Sequence, residues 1–170
     1  MWKMNAKAIA LGGVLAALAV VIMCLGGLIP VATYVCPVLC MVVLCWVSQL
    51  CGTRIGWAWY GAVAVLSLLL GPDKEAAILF VFLGYYPIIK PGIDKLFASW
   101  LLKFLYFNAM ILLSYSLLIW ILGMDQILAD FKDVGMVVTG ITLVLGNVVL
   151  FTLDFILLRI QKLIQGKPSE

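Results

Sequence analysis

The sequence predicts an all-α polytopic membrane protein, a bundle of six transmembrane helices, and three observations carry that expectation. Of the 170 residues, 66% are hydrophobic and only 11% are charged. A water-facing globule ordinarily carries roughly 25% charged residues, so lipid has to supply the missing solvent. The uncharged residues gather into long stretches near the ~20 residues that a helix needs to cross a bilayer. The basic residues, finally, fall in alternate gaps between those stretches. Lys3 and Lys7 precede the first, Arg54 lies in the second gap, Lys90, Lys95 and Lys103 in the fourth, and Arg159, Lys162 and Lys167 follow the last. The other side receives Lys74 and Lys132 together with Asp73, Glu75, Asp125, Asp130 and Asp133. Because Lys and Arg are retained on the cytoplasmic side during insertion, this sorting predicts a multi-pass protein of the cell membrane with both termini cytoplasmic and an even number of crossings. The whole chain, 1–170, reads as a single integral membrane domain with a flexible tail at about 163–170.

Helix 1 is expected at about 8–29. Its length exceeds the roughly 7 to 15 residues of a signal-peptide core, and no small-x-small cleavage site follows it, so it reads as a retained span. Helix 2 is expected at about 34–50, closed by Gly52, and helix 3 at about 55–70, ending at Gly71 and Pro72. Helix 4, at about 74–90, is the short one. The 15 residues between Lys74 and Lys90 reach only roughly 22 Å across a ~30 Å core. Charge nevertheless requires it to cross, since otherwise the acid-rich gap after helix 5 would be cytoplasmic and the basic tail exported. Helices 5 and 6 follow at about 104–122 and 134–158.

Two connections carry patterns of their own. In Pro91 to Leu102 the apolar Ile93, Leu96, Phe97, Trp100 and Leu101 recur at helical spacing, opposite Asp94, Lys95 and Ser99. This predicts a short amphipathic helix on the cytoplasmic surface between helices 4 and 5, either an interfacial anchor or a docking element. Gly123 to Gly135 suits a second short helix over the outer face, as a lid or a connector.

Several chemistries are disfavoured by missing parts. The chain has no histidine, no Gly-x-Ser-x-Gly elbow and no phosphate-cradling loop, and Asp154 is its lone acid inside a span, so no catalytic residue is assigned and an enzyme is not expected. Asp154 is expected to snorkel or to pair with a nearby Lys or Arg. Cys24, Cys36, Cys40, Cys45 and Cys51 lie in or beside apolar stretches, where a thiol packs as a small hydrophobe. Cys36 and Cys40 share a helical face, but without further ligands at metal spacing no metal and no cofactor is expected. The charges are sorted by topology and imply no nucleic-acid partner.

On helix 1 the small residues Ala8, Gly12 and Ala16 form a smooth stripe, with Gly13 and Ala17 beside it. Such a stripe lets another helix approach closely, whether from this chain or from a partner. Six hydrophobic segments, both ends cytoplasmic, and a first helix reading Ala6-Lys-Ala-Ile-Ala-Leu-Gly-Gly-Val-Leu-Ala-Ala-Leu-Ala19 together resemble the S components, the substrate-capture subunits of energy-coupling factor transporters. The resemblance implies that Ala8, Gly12 and Ala16 meet a transmembrane coupling subunit that works with cytoplasmic ATPases. It implies further that the chain binds a vitamin-like micronutrient solute at its outer half. In that region stand Thr33, Tyr34, Ser114, Tyr115, Trp120, Thr139, Thr142 and Asn147, of which Tyr34, Tyr115, Trp120, Thr142 and Asn147 are the candidate solute-binding residues.

Each candidate has a plainer reading. Tyr34 and Trp120 suit an aromatic belt, with Trp57, Trp59 and Tyr60 as its inner counterpart. Asn147 needs a partner in the membrane and finds one on a ligand or on a neighbouring helix. The absence of Arg and His from the outer half disfavours an anionic solute, leaving a neutral, aromatic or cationic one, and Glu75 and Asp125 would form a negative rim. The alternative function is a non-transport membrane scaffold or assembly protein of the bacterial envelope, which needs no internal cavity.

Overall fold

The computed structural model describes residues 6–26, 32–95, 99–122, 144, 146–160 and 162, and every described element is a helix. In chain order these are α1 (Ala6–Leu25), α2 (Ala32–Leu50), α3 (Thr53–Leu70), α4 (Lys74–Leu83), α5 (Tyr86–Ile93) and α6 (Ser99–Leu122), followed by helical residues 146–160, here α7. Five stretches among the described residues are long and apolar enough to cross a membrane: α1, α2, α3, α4 together with α5, and the Ser99–Leu117 part of α6. Their lengths and composition fit a multi-pass membrane protein. Residues 27–29 of the expected first helix, 134–143 of the expected last one, the Gly123–Gly135 connection and the 163–170 tail lie outside the described residues.

Local chemistry sets the turns. Between α2 and α3 the chain reverses at Gly52, whose φ of 91° a side chain would oppose. Between α3 and α4 each residue of Asp73-Lys74-Glu75 does something different. Asp73 caps α4, its Oδ1 accepting from the Ala76 N–H at 3.1 Å. The Lys74 ammonium turns back onto the carbonyl oxygens of Leu68 and Gly71, at 2.8 and 2.9 Å, and so neutralises the exposed end of α3. Glu75 is left in the first turn of α4, pointing at other helices.

The centre of the bundle is the α4–α5 rod, of which 56% is buried against 17% to 39% for the other four stretches. It is broken at Gly84–Tyr85, and the sequence explains the break. Pro87 has no N–H to offer the Leu83 carbonyl, and its ring crowds the preceding turn. Gly84 permits the close approach there, since a Cβ would collide with the Phe80 carbonyl oxygen and lie 2.9 Å from its ring. Carbonyls released by a break inside a membrane need new donors. Two tyrosines on neighbouring helices supply them: Tyr60 of α3 donates to the Val81 oxygen, and Tyr106 of α6 to the Phe82 oxygen at 3.3 Å.

This rod also resolves the short fourth helix expected from the sequence. The apolar helical stretch does not stop at Lys90 but continues to Ile93, 20 residues in all, enough for roughly 30 Å at ~1.5 Å per residue. It can do so because Lys90 is fully buried and ion-paired. The 91–102 segment is accordingly divided in the structure: Pro91 to Ile93 finish α5 and Ser99 to Leu102 open α6, while residues 96–98 lie outside the described residues. The inner aromatic belt also needs correction. Trp57 is exposed, but Trp59 is buried in the core and Tyr60 is committed to the Val81 carbonyl.

Candidate functional site

Three side chains from three helices converge at the end of the bundle that carries the α2 and α4 N-termini. Tyr34 comes from the first turn of α2, Glu75 from the first turn of α4 and Tyr115 from α6. Both phenol hydroxyls lie 3.0 Å from the same carboxylate oxygen, Glu75 Oε1, and 3.1 Å from each other. A carboxylate only accepts hydrogen bonds, so both hydroxyl protons are drawn towards it.

Directly beneath this triad lies a cavity of about 360 Å³ between α2, α4, α6 and α7. Tyr34 and Tyr115 form part of its wall, and the remainder is Val35, Pro37, Val38, Met41, Leu79, Leu83, Ile111, Gly146, Val149 and Leu150. The volume falls within the roughly 300–1,000 Å³ of small-molecule sites, and an apolar wall with a few convergent polar groups is their usual chemistry. Gly146 lets α7 approach α6 closely beside the cavity, since a Cβ there would stand 3.1 Å from Ile111 Cδ1.

The structure brings together two of the five residues expected to bind solute, Tyr34 and Tyr115. Trp120 stands outside the cavity at 89% exposure, as a lipid-facing or interfacial side chain does, and Thr142 lies outside the described residues. Asn147 is in a different place. Its amide exchanges two hydrogen bonds with Asn108 of α6, at 3.1 and 3.2 Å, on an open groove also lined by Phe104, Val148 and Phe151. That reciprocal pair ties α7 to α6, the helix-to-helix role that an amide in lipid commonly takes. The sequence had offered Glu75 only as a negative rim; its place in the triad depends on where α2 and α6 put their tyrosines.

A second polar cluster closes the opposite end, around the α5 C-terminus and the α6 N-terminus. Asp154 of α7 receives Lys90 and the Tyr86 hydroxyl on Oδ1 and Lys103 on Oδ2, the last at 3.0 Å. Asp94 bridges the same two lysines, reaching Lys90 at 3.2 Å and also pairing with Lys103. Two cations and two anions balance, which is the condition under which buried charge is tolerable. Asp154 thus pairs with nearby lysines, one of the two outcomes read from the sequence. Lys90 and Lys103, read there only as charges of a gap between helices, are buried ion-pair partners.

The small-residue stripe of α1 packs within the chain. Gly12 is buried, with Ile55 of α3 at 3.6 Å from where a Cβ would stand, and the Ala8 carbonyl accepts from the Cys51 thiol at 3.4 Å. Ala8 and Ala16 are half-buried, whereas Ala6, Ala10, Gly13 and Ala17 are exposed. Cys36 and Cys40 are buried in the core, and the Cys40 thiol donates to the Ala19 carbonyl at 3.5 Å, joining α2 to α1. No family model, curated protein or solved structure matches this chain.

Proposed function

We propose that the chain is the membrane-embedded solute-binding subunit of an uptake transporter for a micronutrient or vitamin-like compound, energised by separate coupling and ATPase subunits. The cavity under the Tyr34–Glu75–Tyr115 triad carries this reading. A scaffold needs no such space, and an apolar chamber capped by convergent polar groups has small-molecule capture as its default use. In this reading α7 is the sixth crossing, both termini are cytoplasmic, and the triad faces outward while the Lys90–Asp154 cluster faces the cytoplasm. Residues 91–102, on the cytoplasmic side, sit where an amphipathic surface segment would meet partner subunits. The coupling subunit approaches α1 along its exposed small residues, Ala6, Ala10, Gly13 and Ala17, with Ala8, Gly12 and Ala16 fixing that helix from behind.

Purification in mild detergent followed by extraction and mass spectrometry tests the proposal. A small molecule is expected at near one per chain, and it is expected to be lost from Val38→Trp, which fills the cavity without touching the triad. A chain that folds, carries no solute and binds none from a metabolite mixture would refute it.

A further inference from the structure

We infer that the solute is an organic cation: an apolar body ending in a single ammonium group that seats against the two phenol oxygens. The inference rests on the solute-binding reading above and deepens it. Proton accounting at the triad is its basis. Each tyrosine has one hydroxyl proton, and Glu75 Oε1 lies 3.0 Å from both oxygens. With those protons turned to the carboxylate, the phenol oxygens present lone pairs to the cavity they line. A ligand at that end has to donate.

The charge balance points the same way. Glu75 makes none of the chain's described salt bridges, and its neighbour Lys74 is turned away onto the Leu68 and Gly71 carbonyls. Asp73, one residue further back, adds a second negative charge and is occupied by the Ala76 N–H. The buried lysines, Lys90 and Lys103, are held by Asp94 and Asp154 at the other end of the bundle. A carboxylate or phosphate entering the cavity would therefore meet acceptors and a negative field, whereas an ammonium would find two phenol oxygens in the wall with the carboxylate they are bonded to just behind them, in a half-buried setting where charge-assisted hydrogen bonds are stronger than neutral ones. Below them Val38, Met41, Leu79, Ile111 and Leu150 offer nothing to a second polar group, so the rest of the molecule is apolar.

Three probes with one body and different heads test this on the full chain in detergent micelles: phenethylammonium, 2-phenylethanol and phenylacetate, titrated by calorimetry. The ammonium is expected to bind at least tenfold more tightly than the alcohol, with phenylacetate weakest. Glu75→Gln keeps an acceptor for the tyrosines and removes the charge, and is expected to bring the ammonium and the alcohol within threefold of each other. Equal binding of the two by the wild-type chain, phenylacetate in first place, or a tenfold ammonium preference that survives Glu75→Gln would each overturn the cation assignment and leave solute binding standing. Absence of binding by all three probes overturns the assignment as well, and the mass-spectrometric search then decides separately whether any solute is held. Should Glu75→Gln fail to fold, the wild-type ranking decides alone.

Discussion

Neutralising Asp154 and Lys90 one at a time and then together tests whether the buried cluster is a coupled unit. The four side chains carry two positive and two negative charges, and Lys90 is fully buried. Asp154→Asn keeps the volume and an acceptor for the Tyr86 hydroxyl but leaves Lys90 and Lys103 to share Asp94 alone. Removing one partner of a buried pair costs about 3–5 kcal/mol, because the other charge stays behind without compensation. Lys90→Met leaves the opposite excess, with Asp94 and Asp154 on one lysine, and is expected to cost a similar amount. In the double variant the Lys103–Asp94 pair remains balanced. Exchange of a buried ion pair for neutral groups of similar volume is often near neutral, so the double variant is expected to lose only about 0–2 kcal/mol. The coupling energy is then at least about 4 kcal/mol, above the roughly 0.5–3 kcal/mol that contacting residues usually show. Reversible unfolding in mixed micelles, titrated with SDS and followed by tryptophan fluorescence, measures all four corners. If the double variant costs the sum of the singles within about 0.5 kcal/mol, the lysines and Asp154 act independently and the cluster is not what holds α5, α6 and α7 together.

The break in the α4–α5 rod predicts that Tyr60→Phe and Tyr106→Phe each lower stability by about 1–3 kcal/mol, the cost of orphaning a buried carbonyl, as read by thermal unfolding in the same micelles; no change in either would mean that the Val81 and Phe82 oxygens find other donors. Asn108→Leu and Asn147→Leu are each expected to cost about 0.6–1.7 kcal/mol by the SDS titration while leaving solute retention intact; release of solute by Asn147→Leu would return that residue to the binding site. Gly84→Ala is expected to lower the thermal midpoint by pressing on both the Phe80 carbonyl oxygen and its ring, and Phe80→Leu in the same chain, which relieves only the ring, is expected to leave most of the loss in place. Single cysteines in a cysteine-free background, placed at Glu75 and Lys95, are expected to react with a membrane-impermeant maleimide from the outside and only after lysis, respectively; the reverse pattern would invert the orientation.

Much of the helical layout was legible in the sequence because the signals are local. Apolar run length marks a span, Gly52 and Gly71 mark ends, and α2 and α3 begin within two residues of their expected starts. Residues whose state depends on a distant partner were the least legible. Lys90 looked like the end of a short fourth helix, since its local partner Asp94, at i+4, is partly exposed and the buried counter-charge, Asp154, stands 64 residues away. Trp59 and Tyr60 looked like a belt because aromatic residues near a span end usually are one, and only helix packing buried Trp59 in the core and gave Tyr60 the Val81 carbonyl of α4.

The candidate site divides in the same way. Tyr34 and Tyr115 were identifiable as polar groups in apolar helices, and Asp154 as an acid needing a cation. Their pairing was not identifiable, because residues 34, 75 and 115 meet only once α2, α4 and α6 have packed. Sequence by itself determined that this chain is helical, lipid-compatible and asymmetric in charge, since hydropathy and charge act residue by residue. Tertiary structure decided which polar residues satisfy each other and which line open space, because in a low-dielectric interior every donor and charge must be matched by position, and position is set by the packing of the whole bundle.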